Sequence, residues 1–190
     1  MSDAPRRLVL ATSNPHKLDE VAAILRGWQV EPMDPLVDET GVTFDDNALL
    51  KARAVAACLG TAEVAVADDS GIEVDALDGA PGVHSARWAD EGEWIPRLLR
   101  ELAGVADPHR GCRYVCAAAA VWPDGREIVV SGAVEGRVAW QPRGAGGFGY
   151  DPIMVPDEGD GRTFAEMSDA EKHALSHRGR AFRSLAAHLV

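Results

Sequence analysis

Hydrophobic positions along the chain fall into short continuous runs and into helical repeats. Arg7 to Thr12 is a short apolar run ending in Thr12-Ser13-Asn14-Pro15, after which Leu18, Val21, Ala22 and Leu25 recur at helical spacing. This predicts strand, loop and helix as the opening unit. Ala48, Ala52, Val55, Ala56 and Leu59 share one face of a second helix predicted over Asn47 to Leu59, with Gly60 as its stop. A strand over Val64 to Ala67 follows and runs into Asp68-Asp69-Ser70-Gly71, where Gly71 frees a turn. Trp94, Ile95, Leu98, Leu99 and Leu102 predict a third helix, and Tyr114 to Trp122 and Ile128 to Val134 flank Pro123-Asp124-Gly125 as an antiparallel hairpin. Ser168-Asp169-Ala170-Glu171 has the form of a capping box opening a short helix, and Phe182, Leu185, Ala186 and Leu189 form the stripe of a final one. Ser176-His177-Arg178 lies between these two helices. Strands and helices are mixed, which predicts an α/β protein with a mixed sheet.

Composition narrows the class. With 190 residues, 46% hydrophobic and 26% charged, the chain reads as a soluble globular protein, and the absence of repeats or a Gly/Ser linker makes residues 1–190 one compact unit in expectation. No apolar run approaches the roughly 20 residues of a membrane span, and Met1 to Arg7 is polar with no apolar signal core behind it, so a cytoplasmic location is expected. Cys58, Cys112 and Cys116 form no even framework and have no His-x3-5-His companion, so they read as reduced thiols. The net charge of -11 repels a nucleic-acid backbone and argues against broad polyanion binding, so any phosphate ligand must be met locally. Residues 161 to 190 hold five basic and three acidic side chains, a balance of +2 that leaves -13 for the rest. A basic tail on an acidic body hints that an anion is gripped partly by the C-terminus.

Four constellations can carry chemistry. Thr12-Ser13-Asn14-Pro15-His16-Lys17 turns the chain from strand end to helix start, where backbone N–H groups at the positive end of a helix dipole, with Lys17 beside them, attract an anion. It also reads as an Asn-Pro turn capping a helix, and no Walker loop exists in the chain. Asp68-Asp69 at a strand end suits Mg²⁺, with one acid able to take a proton from an attacking water, or else caps a loop. Glu39, before Thr40-Gly41, is a possible third ligand or a solvated acid. Gly144-Ala145-Gly146-Gly147-Phe148-Gly149-Tyr150-Asp151-Pro152 allows close backbone approach and a stacking clamp for a flat ring, or is a flexible end with Phe148 and Tyr150 buried. Lys172 with His177-Arg178 offers donors to a phosphate or a base carbonyl, or is a solvated face. Together they are the parts of a site that holds a nucleotide and attacks its phosphate chain.

The same residues carry a family resemblance. Leu10-Ala11-Thr12-Ser13-Asn14 with Lys17, Glu39-Thr40-Gly41 with Phe44 and Asn47-Ala48, and Ala67-Asp68-Asp69-Ser70-Gly71 form the first three blocks. Gly79-Ala80-Pro81-Gly82 with Ser85-Ala86-Arg87, Gly146 to Pro152, and Glu171-Lys172 with Ser176-His177-Arg178-Gly179 complete them. In this order they resemble the inosine triphosphate pyrophosphatases, or noncanonical purine nucleoside triphosphatases, in their bacterial form, nearly end to end. Ser13 departs from the Gly of many relatives but keeps the loop small.

The resemblance implies a two-lobed α/β fold with an elongated central sheet, an active-site cleft between lobes, a homodimer, and Mg²⁺-dependent hydrolysis of ITP, dITP and XTP to the monophosphate and pyrophosphate. It implies that Thr12, Ser13, Asn14, Pro15, His16 and Lys17 bind the triphosphate, with Lys51 and Arg87 as further phosphate contacts, and that Ser70 touches substrate. Glu39 and Asp69 would hold the metal, Asp69 would also accept the proton, and Phe148, Gly149, Tyr150, Asp151, Lys172, His177 and Arg178 would form the base pocket. Selectivity would follow from donors at Arg178, His177 or nearby backbone meeting the C6 carbonyl of hypoxanthine or xanthine, where adenine presents an amino group. A related-fold pyrophosphatase acting on pyrimidine nucleoside triphosphates is the alternative enzyme, against which the Phe148 to Asp151 and Ser176 to Arg178 blocks speak. A non-catalytic nucleotide-binding module would lack one of Glu39, Asp68 and Asp69, and all three are present.

Overall fold

The computed structural model describes residues 6–60 and 63–189, so Met1 to Pro5 of the polar start lie outside the described residues. Six strands form one mixed sheet: β1 (Arg6–Ala11), β2 (Trp28–Met33), β3 (Val64–Val74), β4 (Gly111–Val121), β5 (Glu127–Val138) and β6 (Met154–Pro156). Their order is β2-β1-β3-β4-β5-β6, with β1 parallel to β2 and β3, and β5 antiparallel to β6. The helices are α1 (Pro15–Ile24), α2 (Phe44–Ala56), α3 (Trp94–Glu101), α4 (Asp169–Leu175) and α5 (His177–Ala186). This is the α/β class with a mixed sheet that the hydrophobic pattern predicts. No helix among the described residues is long and apolar enough to cross a membrane.

Four elements differ from the sequence-based expectation. Pattern reading misses β2, because Pro32 interrupts a half-polar segment; as an edge strand it tolerates a residue without an N–H. α2 starts at Phe44, three residues before Asn47, because Thr43 caps it by accepting the Asp46 N–H at 3.1 Å and Asp45 and Asp46 suit the positive end of the helix. β3 does not turn at Asp68 to Gly71 but continues to Val74. His177 and Arg178 do not lie between helices but open α5.

Gly71 therefore frees no turn; it makes room. A Cβ there would come within 2.5 Å of the Gly82 carbonyl and still closer to Ser85 Oγ. That hydroxyl cannot give way, since it accepts the Ile72 N–H at 2.9 Å and donates to Gly82 O at 2.6 Å. Gly71→Ala is expected to cost about 1–3 kcal/mol of stability, the usual range for overpacking, as read from denaturant midpoints. Wild-type stability would show that this approach is not tight.

By internal contacts the chain divides into two compact units. The first comprises residues 1–69, 116–132 and 178–190, and the second residues 70–115 and 133–177. Each has its own core. In the first, Leu8, Leu10, Val21, Val66, Phe182 and Leu185 are fully buried together. β1 is apolar on both faces because it is an inner strand between parallel neighbours, which explains why it reads as a continuous run. In the second, Ile72, Val74, Leu98, Leu102, Ile153 and Phe164 pack with Tyr114 and Tyr150.

Candidate active site

The first unit holds the loop that opens α1 and an acid cluster. After β1, Thr12 is buried and its Oγ1 accepts the Asn14 N–H at 3.1 Å. Asn14 caps α1, its Oδ1 accepting the N–H groups of His16 at 2.9 Å and Lys17 at 3.4 Å, while Pro15 has none. The first-turn amides expected to face an anion are thus capped by Asn14. What the loop offers a ligand is the hydroxyls of Thr12 and Ser13, the Asn14 amide and the positive end of α1. A pocket of about 310 Å³ opens here, lined by Thr12, Ser13, Asn14, Pro15, Leu18, Pro32 and Asp34.

On β3, successive acids do different work. Asp68 is enclosed, and its Oδ2 lies 3.1 Å from Lys17 Nζ and accepts from Arg178 Nη2 at 3.1 Å and Nε at 3.3 Å. Arg178, 1% exposed, also donates to Glu20. Burial alone would raise the Asp68 carboxyl, but Lys17, Arg178 and Lys51 outweigh it and hold the group far below the usual carboxylate range. Burial likewise opposes the Arg178 charge, and Asp68 and Glu20 outweigh it.

Asp69 Oδ1 accepts from Lys51 Nζ at 3.0 Å, and the same ammonium donates to Glu39 Oε1 at 2.7 Å. Burial first, then the charge of Glu39, raises the Asp69 carboxyl above its ordinary value, against Lys51 and Lys17, which lower it. Burial lowers Lys51, but Asp69, Asp68 and Glu39 reverse the shift. Two carboxylates that converge on one cation and still carry excess negative charge fit a hard divalent ion. Among the described residues no cluster of three His, Cys, Asp or Glu side chains could hold a metal. Two carboxylates leave the remaining coordination to water and phosphate oxygens.

The second unit gathers the aromatic and donor residues. Asp151 is 2% exposed and organises them: Oδ2 accepts the Phe148 N–H at 2.7 Å and Lys172 Nζ at 2.6 Å, and Oδ1 accepts the Tyr114 hydroxyl at 3.2 Å. Gly147 sits at φ 66°, and a Cβ there would overlap the Asp151 carboxylate, so this glycine is required twice over. Lys172 Nζ lies 4.7 Å from the centre of the half-buried Phe148 ring, a cation–π contact. Tyr150 is in the core instead, its hydroxyl donating to Ser85 O at 3.0 Å, so of the two aromatics expected to clamp a ring only Phe148 keeps an accessible face. Gly149 lies between them at φ 62°. The His177 ring is buried 4.5 Å from Tyr114, whose own hydroxyl is pushed up by burial and by Asp151. Ser70 follows Asp69 on β3, and Arg87 is exposed, its Nε donating to His84 Nδ1 at 3.3 Å.

The expected base-pocket set is therefore divided. Phe148, Asp151, Lys172 and His177 come together in the second unit, whereas the Arg178 guanidinium is held by Asp68 and Glu20 in the first. Lys51, expected on phosphate, sits between the two carboxylates. Sequence reasoning misses Glu20, Asn47 and Tyr114 as members of these clusters. The first two carry a signal, being polar residues on the inward stripe of a helix, flanked by Val21 and Ala48. Tyr114 is masked by the apolar run of β4.

Comparison with known proteins places the chain. The Ham1 family model matches residues 8–188. The dITP/XTP pyrophosphatase of Streptomyces coelicolor is 51% identical over 192 residues, covering 94% of each chain. A HAM1 protein from Coxiella burnetii superposes with a TM-score of 0.82 at 36% identity, covering 97% of this chain and 98% of the other. The nucleoside-triphosphatase / dITP/XTP pyrophosphatase of Mycobacterium abscessus superposes at 0.73 with 44% identity, covering 94% and 98%. With a family model spanning nearly its whole length and a relative half identical to it, the chain belongs to the Ham1 family.

Proposed function

We propose that this protein is a nucleoside triphosphate pyrophosphatase that hydrolyses ITP, dITP and XTP to the monophosphate and pyrophosphate and so cleanses the nucleotide pool. The observation that carries it is the convergence of Glu39 and Asp69 on one ammonium, at 2.7 and 3.0 Å, in a unit that also holds a helix-start anion loop. The relatives named dITP/XTP pyrophosphatase support the same reaction on dITP and XTP.

Glu39 and Asp69 are the residues that would hold Mg²⁺. When bound, it would neutralise phosphate charge and make a coordinated water more acidic. A triphosphate brings about four negative charges to a chain at -11, so local cations must counter them, Lys17 and Lys51 in the first unit and Arg87 as a further contact. Asp69 takes a proton from the attacking water, whose oxygen bonds the α-phosphorus as the bond to the α–β bridging oxygen breaks and pyrophosphate leaves in line. Thr12, Ser13 and Asn14 orient the chain of phosphates.

Phe148 stacks on the base, and donors at Lys172, His177 or nearby backbone meet the C6 carbonyl. A site built on that contrast discriminates against the 6-amino group of adenine by roughly 10⁴. A cytoplasmic location and a homodimer belong to the same proposal.

A panel of ITP, dITP, XTP, ATP, GTP and dTTP, assayed for pyrophosphate with and without Mg²⁺, tests it. Metal-dependent pyrophosphate from the hypoxanthine and xanthine nucleotides is expected. Release of orthophosphate, or a preference for the pyrimidine nucleotide, would overturn it.

A further inference from the structure

Asn47 is fully enclosed in the first turn of α2, and both ends of its amide are engaged. Its Oδ1 accepts the Gly41 N–H at 2.8 Å, and its Nδ2 donates to Asp69 Oδ2 at 3.1 Å. Gly41 lies two residues beyond Glu39, so one side chain ties the segment carrying the first carboxylate to the second carboxylate. The orientation of the amide is fixed by chemistry, because a flipped group would set N–H against N–H at Gly41 and oxygen against oxygen at Asp69. The approach is close: a Cβ on Gly41 would fall 2.6 Å from Asn47 Oδ1.

Lys51, one turn further along α2, also touches both acids, but through a flexible stem whose ammonium a competing cation or phosphate can draw away. Asn47 has no such freedom. An amide on a buried helix face is tolerated only when both its polar ends are bonded, and here they are bonded to the two halves of the acid pair.

We propose that Asn47 is a positioning residue that sets the spacing and orientation of the Glu39 and Asp69 carboxylates, and thereby the affinity of the pair for a divalent cation, an inference that rests on the metal site proposed above. Groups that orient ligating carboxylates typically change metal affinity by about 10–100-fold when removed.

The test measures binding of Mn²⁺ alone, without nucleotide, to the full-length protein by titration calorimetry, for the wild type and Asn47→Ala, Gly41→Ala, Glu39→Gln and Asp69→Asn. Folding is checked by thermal unfolding in chelator. Asn47→Ala, which removes the acceptor, and Gly41→Ala, whose Cβ would press on Asn47 Oδ1, Asp46 Cβ and Asn47 N and push the segment off the amide, are each expected to weaken Mn²⁺ about 10–100-fold. Their turnover is expected to recover as metal is raised, a split that a purely structural defect would not give. Gly41 is on a half-buried segment ahead of the helix, so its variant decides the matter if Asn47→Ala does not fold. Mn²⁺ affinity lowered by Glu39→Gln but unchanged in the folded Asn47 and Gly41 variants would overturn the role of Asn47 alone. Wild-type affinity in both Glu39→Gln and Asp69→Asn, or no uptake by the wild type, would remove the metal site and this inference with it.

Discussion

Asp69→Asn protein, assayed on ITP at saturating Mg²⁺, is expected to retain nucleotide binding while turnover falls by about 10²- to 10⁴-fold, the usual contribution of a positioned general base. The substitution keeps the shape of the side chain and its Oδ1, so Lys51 can still donate to it. It removes the charge and the basic oxygen. Without metal, burial and Glu39 raise the proton affinity of this carboxyl, whereas Asp68 is held far below the usual range by Lys17, Arg178 and Lys51 and is unsuited to the part. Asp68→Asn should therefore show itself in stability and in the placement of Lys17 more than in the proton-transfer step. Saturating metal matters, because Asp69 is also a proposed ligand and a weakened site would otherwise mimic a lost base. Near-normal turnover in Asp69→Asn would remove it from catalysis.

Arg178→Ala is expected to destabilise the protein by about 3–5 kcal/mol, the range for removing one partner of a buried ion cluster, as read from urea midpoints. The guanidinium is the shared partner of Asp68 and Glu20, both buried, and its loss leaves two carboxylates sealed from water with Lys17 as the cation still on Asp68. Adding Asp68→Asn and Glu20→Gln should return part of the loss, since the uncompensated charge is then gone. The pH dependence has a definite sign. A carboxyl whose folded value lies below its unfolded one stabilises the fold fully above the ordinary aspartate range and loses that contribution progressively as pH falls from the unfolded value to the folded one. Without Arg178 the folded value of Asp68 rises, so acid unfolding should begin at higher pH. Wild-type stability together with a lost preference for ITP over ATP would return Arg178 to the base pocket.

Much of the architecture is legible in the chain because its signals are local. The apolar run of β1, the Ser168 capping box and the stripe of α5 each announce an element within a few residues. The elements that escape are settled by neighbours. β2 is a strand because β1 offers a parallel partner, and β3 runs past two aspartates because Lys17, Lys51 and Arg178, from α1, α2 and α5, pair with them. Motif blocks name the residues of the candidate site, but motifs do not tell which residue faces which. That Lys51 spans two acids, that Tyr150 anchors in the core and that Arg178 serves Asp68 are facts of side-chain direction over sequence separations of 12 to 110 residues.

The margins of the sheet bear on how the protein behaves when crowded. β2 is one border, and there Pro32 lacks a donor while Gln29 and Glu31 carry polar groups, Glu31 pairing with Arg7 at 2.7 Å. β6, the other, is only three residues long. Neither of these two strands presents a long, flat row of unpaired amides, so a foreign strand finds little purchase on β2 or β6.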